Sequence, residues 1–136
     1  MVHPINRNKG KTMSVQCLVQ AAALMLLMMT GTSVAGEADI VGVKAMKASN
    51  GTWSFDVTVS HGDEGWDHYA NRWDVVAPDG TVLGTRTLLH PHVTEQPFTR
   101  SLRGVSVPDG VVSVTVRGND SVHGTGGREF SVELLN

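Results

Sequence analysis

The stretch "TWSFDVTVS", residues 52–60, alternates apolar and polar side chains without a break. Trp53, Phe55, Val57 and Val59 fall on one side, and Thr52, Ser54, Asp56 and Thr58 on the other. Successive side chains of an extended strand point to opposite faces, so this period of two describes a strand with one face on a core and one in water. The same period recurs in "VVSVTVRG", with Val112, Val114 and Val116 as the inward set, and in "REFSVELL", with Phe130, Val132 and Leu134. No segment carries a sustained helical period. Turn signals separate the strands: Asn50-Gly51, read as a two-residue hairpin turn with both positions at positive φ, then Pro78-Asp79-Gly80 and Pro108-Asp109-Gly110.

This punctuation predicts seven strands, near residues 39–48, 52–60, 71–77, 81–89, 98–105, 111–118 and 128–135. Seven short antiparallel strands with frequent turns predict an all-β sandwich of immunoglobulin or fibronectin-III type, with Trp73 as its central core tryptophan. The inter-sheet disulfide of antibody domains is missing, which favours the fibronectin-like variant.

The first 35 residues read differently. Arg7, Lys9 and Lys11 precede the uncharged apolar run "CLVQAAALMLLMMTGTSVAG", which ends in the small residues Ser33-Val34-Ala35. That order predicts a secretory signal peptide over residues 1–35 and a domain over 36–136. Cys17 precedes the apolar core, which is not the placement of a lipid-attachment cysteine, and it leaves with the leader. So do five of the six methionines; only Met46 remains. Loss of three basic residues makes the formal charge of −2 three units more negative. An acidic domain without a basic block is a poor candidate for binding nucleic acid or anionic lipid. About 100 residues without a disulfide must be held by the core, which one domain of this size achieves. The expected location is periplasmic or secreted, with no membrane contact in the mature form.

In an antiparallel sandwich the connections alternate between two ends. The three tight turns share one end. The long connections "HGDEGWDHYA", "HPHVTEQP" and "NDSVHGTGG" share the other, and they hold all five histidines beyond the leader: His61, His68, His90, His92 and His123. Long exposed loops collect histidines without any function. The local chemistry nevertheless favours ligands. Pro91 restricts His90 to an extended backbone, and residues two apart in an extended segment project to one side, so His90 and His92 are expected to act as a pair. His61 continues the inward parity of Trp53 to Val59, toward the mouth of the sandwich. Neutral imidazole is the commonest nitrogen ligand of divalent transition metals. Glu95 is the expected carboxylate, with Asp63, Glu64, Asp67 and Asp120 as further ligands or as groups that orient a ring. Without a thiolate or a methionine pair the chemistry left is that of Cu(II) or Zn(II), with other divalent ions open beside them.

Other motifs carry less. Ser121 beside Asp120 and His123 has the composition of a catalytic triad but lacks a nucleophile turn, so no enzyme is expected. The glycines of "HGTGGREF" lead into a strand rather than a helix, which excludes a conventional phosphate loop. Trp66 and Tyr69 flank Asp67 and His68 as an aromatic pair suited to a sugar or peptide, or to capping the core.

The stretch "HPHVTEQPFTRSL" resembles one shared by small exported bacterial proteins without an assigned role. That resemblance implies a periplasmic or secreted β-domain and no mechanism. Similarity to copper–zinc superoxide dismutase stops at His-x-His. The sequence therefore predicts an exported β-sandwich that binds a divalent metal ion through His61, His68, His90, His92, His123 and Glu95. Its alternative is an immunoglobulin-like module that binds another exported protein or a glycan through the same loops.

Overall fold

Each alternating stretch becomes a strand. The computed structural model describes residues 36–135, and the leader expected over 1–35 lies outside them. Seven strands follow in order: β1 Asp39–Lys47, β2 Trp53–Ser60, β3 Ala70–Val76, β4 Val82–Thr87, β5 Phe98–Val105, β6 Ser113–Asp120 and β7 Phe130–Glu133. They form two antiparallel sheets, β1-β2-β5 and β4-β3-β6-β7, that face each other without closing into a barrel. No helix occurs among the described residues.

The core lies between the sheets. Trp53, Phe55, Val57 and Val59 of β2 and Phe98 and Val105 of β5 meet Trp73 and Val75 of β3 and Val114 and Val116 of β6. Trp73 is fully enclosed. Phe130 and Val132 of β7 pack partly buried against this core, and Leu134 is buried beside them. Val112 departs from its expected burial and is 71% exposed. It precedes β6, whose first residue is Ser113, so the alternation that would turn it inward has not begun. Gly84 lets β4 close against β5, since a Cβ there would sit 2.9 Å from Leu102 Cδ2 and 3.2 Å from Val105 Cγ2.

Two of the three tight turns at one end share one device. Gly51 N–H donates to Ala48 O at 3.0 Å and Ala48 N–H to Thr52 O at 2.8 Å, while Asn50 Oδ1 accepts the Thr52 N–H at 3.0 Å. Ala77-Pro78-Asp79-Gly80-Thr81 repeats this pattern, with Asp79 in the place of Asn50. Only the glycines, Gly51 and Gly80, take positive φ. The expected turn with Asn50 also at positive φ is thereby corrected: one glycine in the left-handed region, with an Asx bond before it, reverses the chain. The two Thr81 hydrogen bonds, backbone first, hold the Asp79 carboxyl below its ordinary range.

Candidate metal centre

The opposite end is built from the connections 61–69, 88–97 and 121–129, the first two of which are joined through one carboxylate. Asp63 is fully enclosed at its side chain. Its Oδ1 faces His61 Nδ1 at 2.5 Å and accepts the Ala70 N–H at 3.0 Å. Its Oδ2 accepts the His92 N–H at 2.7 Å. Gln96 completes the link, with Oε1 accepting the His61 N–H and Nε2 donating to His92 O, each at 3.0 Å. Tyr69 and Ser121 then tie the first loop to the third, through Tyr69 N–H to Ser121 Oγ at 3.1 Å and Ser121 N–H to Tyr69 O at 2.9 Å.

Against this frame three side chains form a group. One ligand atom from each of His61, His68 and Asp120 lies within 4.8 Å of the others. His61 is held by Asp63 at Nδ1, and its Nε2 stands 2.8 Å from the carbonyl oxygen of Gly36. The His61 and His68 rings meet edge to face at 4.8 Å. His68 Nε2 is 3.2 Å from Asp120 Oδ1, yet it is not aligned for a hydrogen bond and remains buried without a partner. Asp120 Oδ2 is likewise buried and unpartnered. Asp120 Oδ1 accepts the N–H groups of Val122 at 2.9 Å and His123 at 2.7 Å and lies 3.2 Å from His123 Nδ1. Burial pushes the Asp120 carboxyl up. The His123 and Val122 N–H groups, with the nearby His123 and His61 rings, outweigh it and hold the group below its ordinary range. Asp120 is therefore an anion at neutral pH. Two imidazoles and a carboxylate are a donor set for a divalent transition metal.

The remaining expected ligands lie beside this group. His123 approaches His68 with ring centroids 5.0 Å apart. His90 and His92 do come together, with ring centroids at 4.5 Å, as their spacing around Pro91 predicts. Their environments differ. His90 is exposed, and its Nδ1 lies 3.0 Å from Pro91 O. His92 is buried, its ring stacked on Phe98 at 3.9 Å. Arg100 donates to His92 Nε2 at 3.0 Å, so the ring proton belongs on Nδ1, which is buried without a partner. Burial, then Arg100 and His90, push the His92 imidazole below its ordinary range, against Glu95 and Asp63. Glu95 is 61% exposed and pairs with Arg100 at 3.6 Å. Of the acidic residues weighed from sequence, Asp63 meets His61, Glu64 stands 3.8 Å from His68, and Asp120 meets His68 and His123, whereas Glu95 pairs with Arg100. The signal was there: Val114, Val116, Gly118 and Asp120 are all buried at a period of two, and the parity of β2 continues through His61 to Asp63. Simple solvation, the bland reading of loop histidines, does not describe His61, His68 or His92, which are 4%, 8% and 4% exposed. The Gly36 carbonyl carries no sequence signal at all.

No family model and no solved structure matches the chain. A protein of the archaeon Halomicrobium mukohataei, described as a candidate lipoprotein, is 44% identical over 97 residues, which cover 71% of this chain and 47% of the relative. The chain thus spans about half the length of the curated relative it matches.

Proposed function

We propose that this is an exported β-sandwich domain that binds a divalent transition metal ion, Cu(II) or Zn(II), at its histidine end. His61, His68 and Asp120 form the centre of the site, with His123 at its rim. His90, His92 and Glu95 form a flanking set on the adjoining loop. One observation carries the reading: three ligand atoms lie within 4.8 Å, and two buried atoms in the same group, His68 Nε2 and Asp120 Oδ2, have no hydrogen-bond partner. Buried polar atoms are rarely left so, and a cation would satisfy both. Export is supported by the leader-like first 35 residues and by the relative's description as a candidate lipoprotein. The sheet order β1-β2-β5 against β4-β3-β6-β7 supports the fibronectin-III-like assignment. A carrier, sensor or metal-tolerance role fits a site without a catalytic nucleophile.

Calorimetric titration of chelator-stripped protein with Cu(II) and Zn(II) tests this. His68→Ala and Asp120→Asn should each weaken binding by roughly tenfold or more, as loss of a direct ligand does at least as much as loss of a supporting group. His90→Ala should weaken it less. Binding that is indifferent to both His68 and Asp120 would place the metal elsewhere.

A second reading rests on Trp66, which is 67% exposed and braced edge to face against Tyr69 at 5.6 Å. An aromatic held out at a loop tip suits recognition of a protein or glycan. It becomes the leading one if no divalent metal binds.

A further inference from the structure

We propose that Asn50 is the attachment point of an asparagine-linked glycan, taken from a lipid-linked oligosaccharide when the chain is exported. This rests on the export reading above and is independent of the metal.

An asparagine accepts a sugar in the triplet Asn-x-Ser/Thr, with x other than proline, at the surface of an exported chain. The sequence holds two such triplets, Asn50-Gly51-Thr52 and Asn119-Asp120-Ser121. The fold separates them. Asn119 lies in β6 and is 7% exposed. Its amide nitrogen donates to Asn71 Oδ1 at 2.8 Å, and its side-chain oxygen accepts the Thr125 N–H at 3.0 Å. Ser121, the hydroxyl residue of the same triplet, accepts the Tyr69 N–H. A glycan on Asn119 would break the ties between the loops at the histidine end.

Asn50 is the opposite case. It is exposed in the turn between β1 and β2. Its Oδ1 accepts the Thr52 N–H at 3.0 Å and the Thr52 hydroxyl at 2.7 Å. Both bonds fall on the oxygen, so the turn makes no use of Nδ2, the atom that takes the sugar. The middle residue, Gly51, has φ 86°, and a Cβ there would meet nothing within 4 Å. No side chain crowds the amide from within the triplet. A groove of about 460 Å³ opens beside Asn50 across the outer face of β1, β2 and β5, with Ser54, Asp56, Ser101 and Arg103 along it. Their hydroxyl, carboxylate and guanidinium groups are hydrogen-bond partners for sugar hydroxyls.

In the transfer, Nδ2 bonds to the anomeric carbon of the first sugar. The bond from that carbon to the oxygen of the lipid phosphate breaks, and the phosphate leaves with the electron pair. The amide nitrogen gives up one proton to a base of the transferring enzyme. Nothing is oxidised or reduced.

The turn around Asp79 supplies the control. There an aspartate accepts the Thr81 N–H at 2.9 Å, as Asn50 accepts that of Thr52. Asn50→Asp therefore keeps the acceptor and removes only the nitrogen. The full chain, leader included, is expressed in an archaeal host whose own exported proteins carry asparagine-linked sugars, and its tryptic peptides are weighed. Peptide 48–72 should be heavier than its sequence by the mass of at least one sugar, and peptide 118–128 should have its sequence mass. The gain should vanish in Asn50→Asp and in Thr52→Ala. Enzymatic release of the sugar, which leaves aspartate at 50, should give protein that melts with the Asn50→Asp variant. An exported parent with peptide 48–72 at its sequence mass would overturn the glycan, as would a gain that survives in Asn50→Asp. A sugar on peptide 118–128 would overturn the selection by burial. A chain retained inside the cell would overturn export and the glycan together.

Discussion

His92 shows how far a residue can depart from its surroundings in the sequence. In "LLHPHVTEQ" it reads as an exposed loop histidine, yet it is buried, stacked on Phe98 and bonded by Arg100. Burial and the Arg100 charge favour its neutral form. Its folded-state pKa therefore lies below the unfolded value of about 6.5. Above that value the ring is neutral in both states and folding pays no penalty. As pH falls from there through the folded value, the unfolded chain takes up the proton first and stability is lost. Thermal melts of metal-free protein should accordingly show a falling melting temperature below about pH 6.5, and His92→Gln should flatten that fall. An unchanged slope in the variant would place the titrating group elsewhere. At this scale the sequence was partly legible. His61 could be aimed inward by parity, and Asp63 and Asp120 obey the same parity at the ends of β2 and β6. Glu95 was favoured for its nearness to two histidines along the chain. Proximity along a loop says little about which side chains the fold brings together, and Glu95 meets Arg100 instead.

Among the elements, the strands were the most legible, because a period of two is the direct imprint of a half-buried sheet. Their ends move by at most two residues from expectation: β6 is shifted two residues along the chain, and β7 is trimmed by two at each end. Less visible was how closely the residues just before β1 lie on β6. A Cβ added at Gly118 would stand 3.0 Å from Ala38 O and 3.1 Å from Ala38 Cβ, so the segment leading into β1 would have to move. Gly118→Ala should therefore destabilise the domain by about 1–3 kcal/mol, the usual cost of overpacking. At Gly42 the added methyl would meet Thr58 at an ordinary 3.7 Å. Gly42→Ala should be neutral or stabilise by about 0.4–1 kcal/mol, because it restricts the unfolded chain. Denaturant midpoints of the two variants would check the contrast. Equal midpoints would mean that the segment around Ala38 gives way freely.

In the whole domain, stability rests on one core between two sheets, without a disulfide among the described residues. Val57→Asp or Val114→Asp would place an unpaired charge there at a cost of several kcal/mol, against a total stability of about 5–15. Loss of cooperative melting by circular dichroism is the expected outcome; a native-like melt would mean that these positions are not the core. The assignment of connections to two ends was legible because strand direction alternates by necessity, and the loops around Asp63 do converge. The contribution of Gly36 was not legible, since a backbone carbonyl has no signature in sequence. The alternation has one more result. Seven is odd, so the described chain enters and leaves at opposite ends: Gly36 lies against His61, while Leu134 N–H bonds Val112 O beside the far turns. A strand of eight residues separates them by about 25 Å. Anything fused before Gly36 borders the histidines, and anything fused after Leu135 does not. Copies joined in series would thread in line like beads, each histidine end meeting the turns of the bead before it.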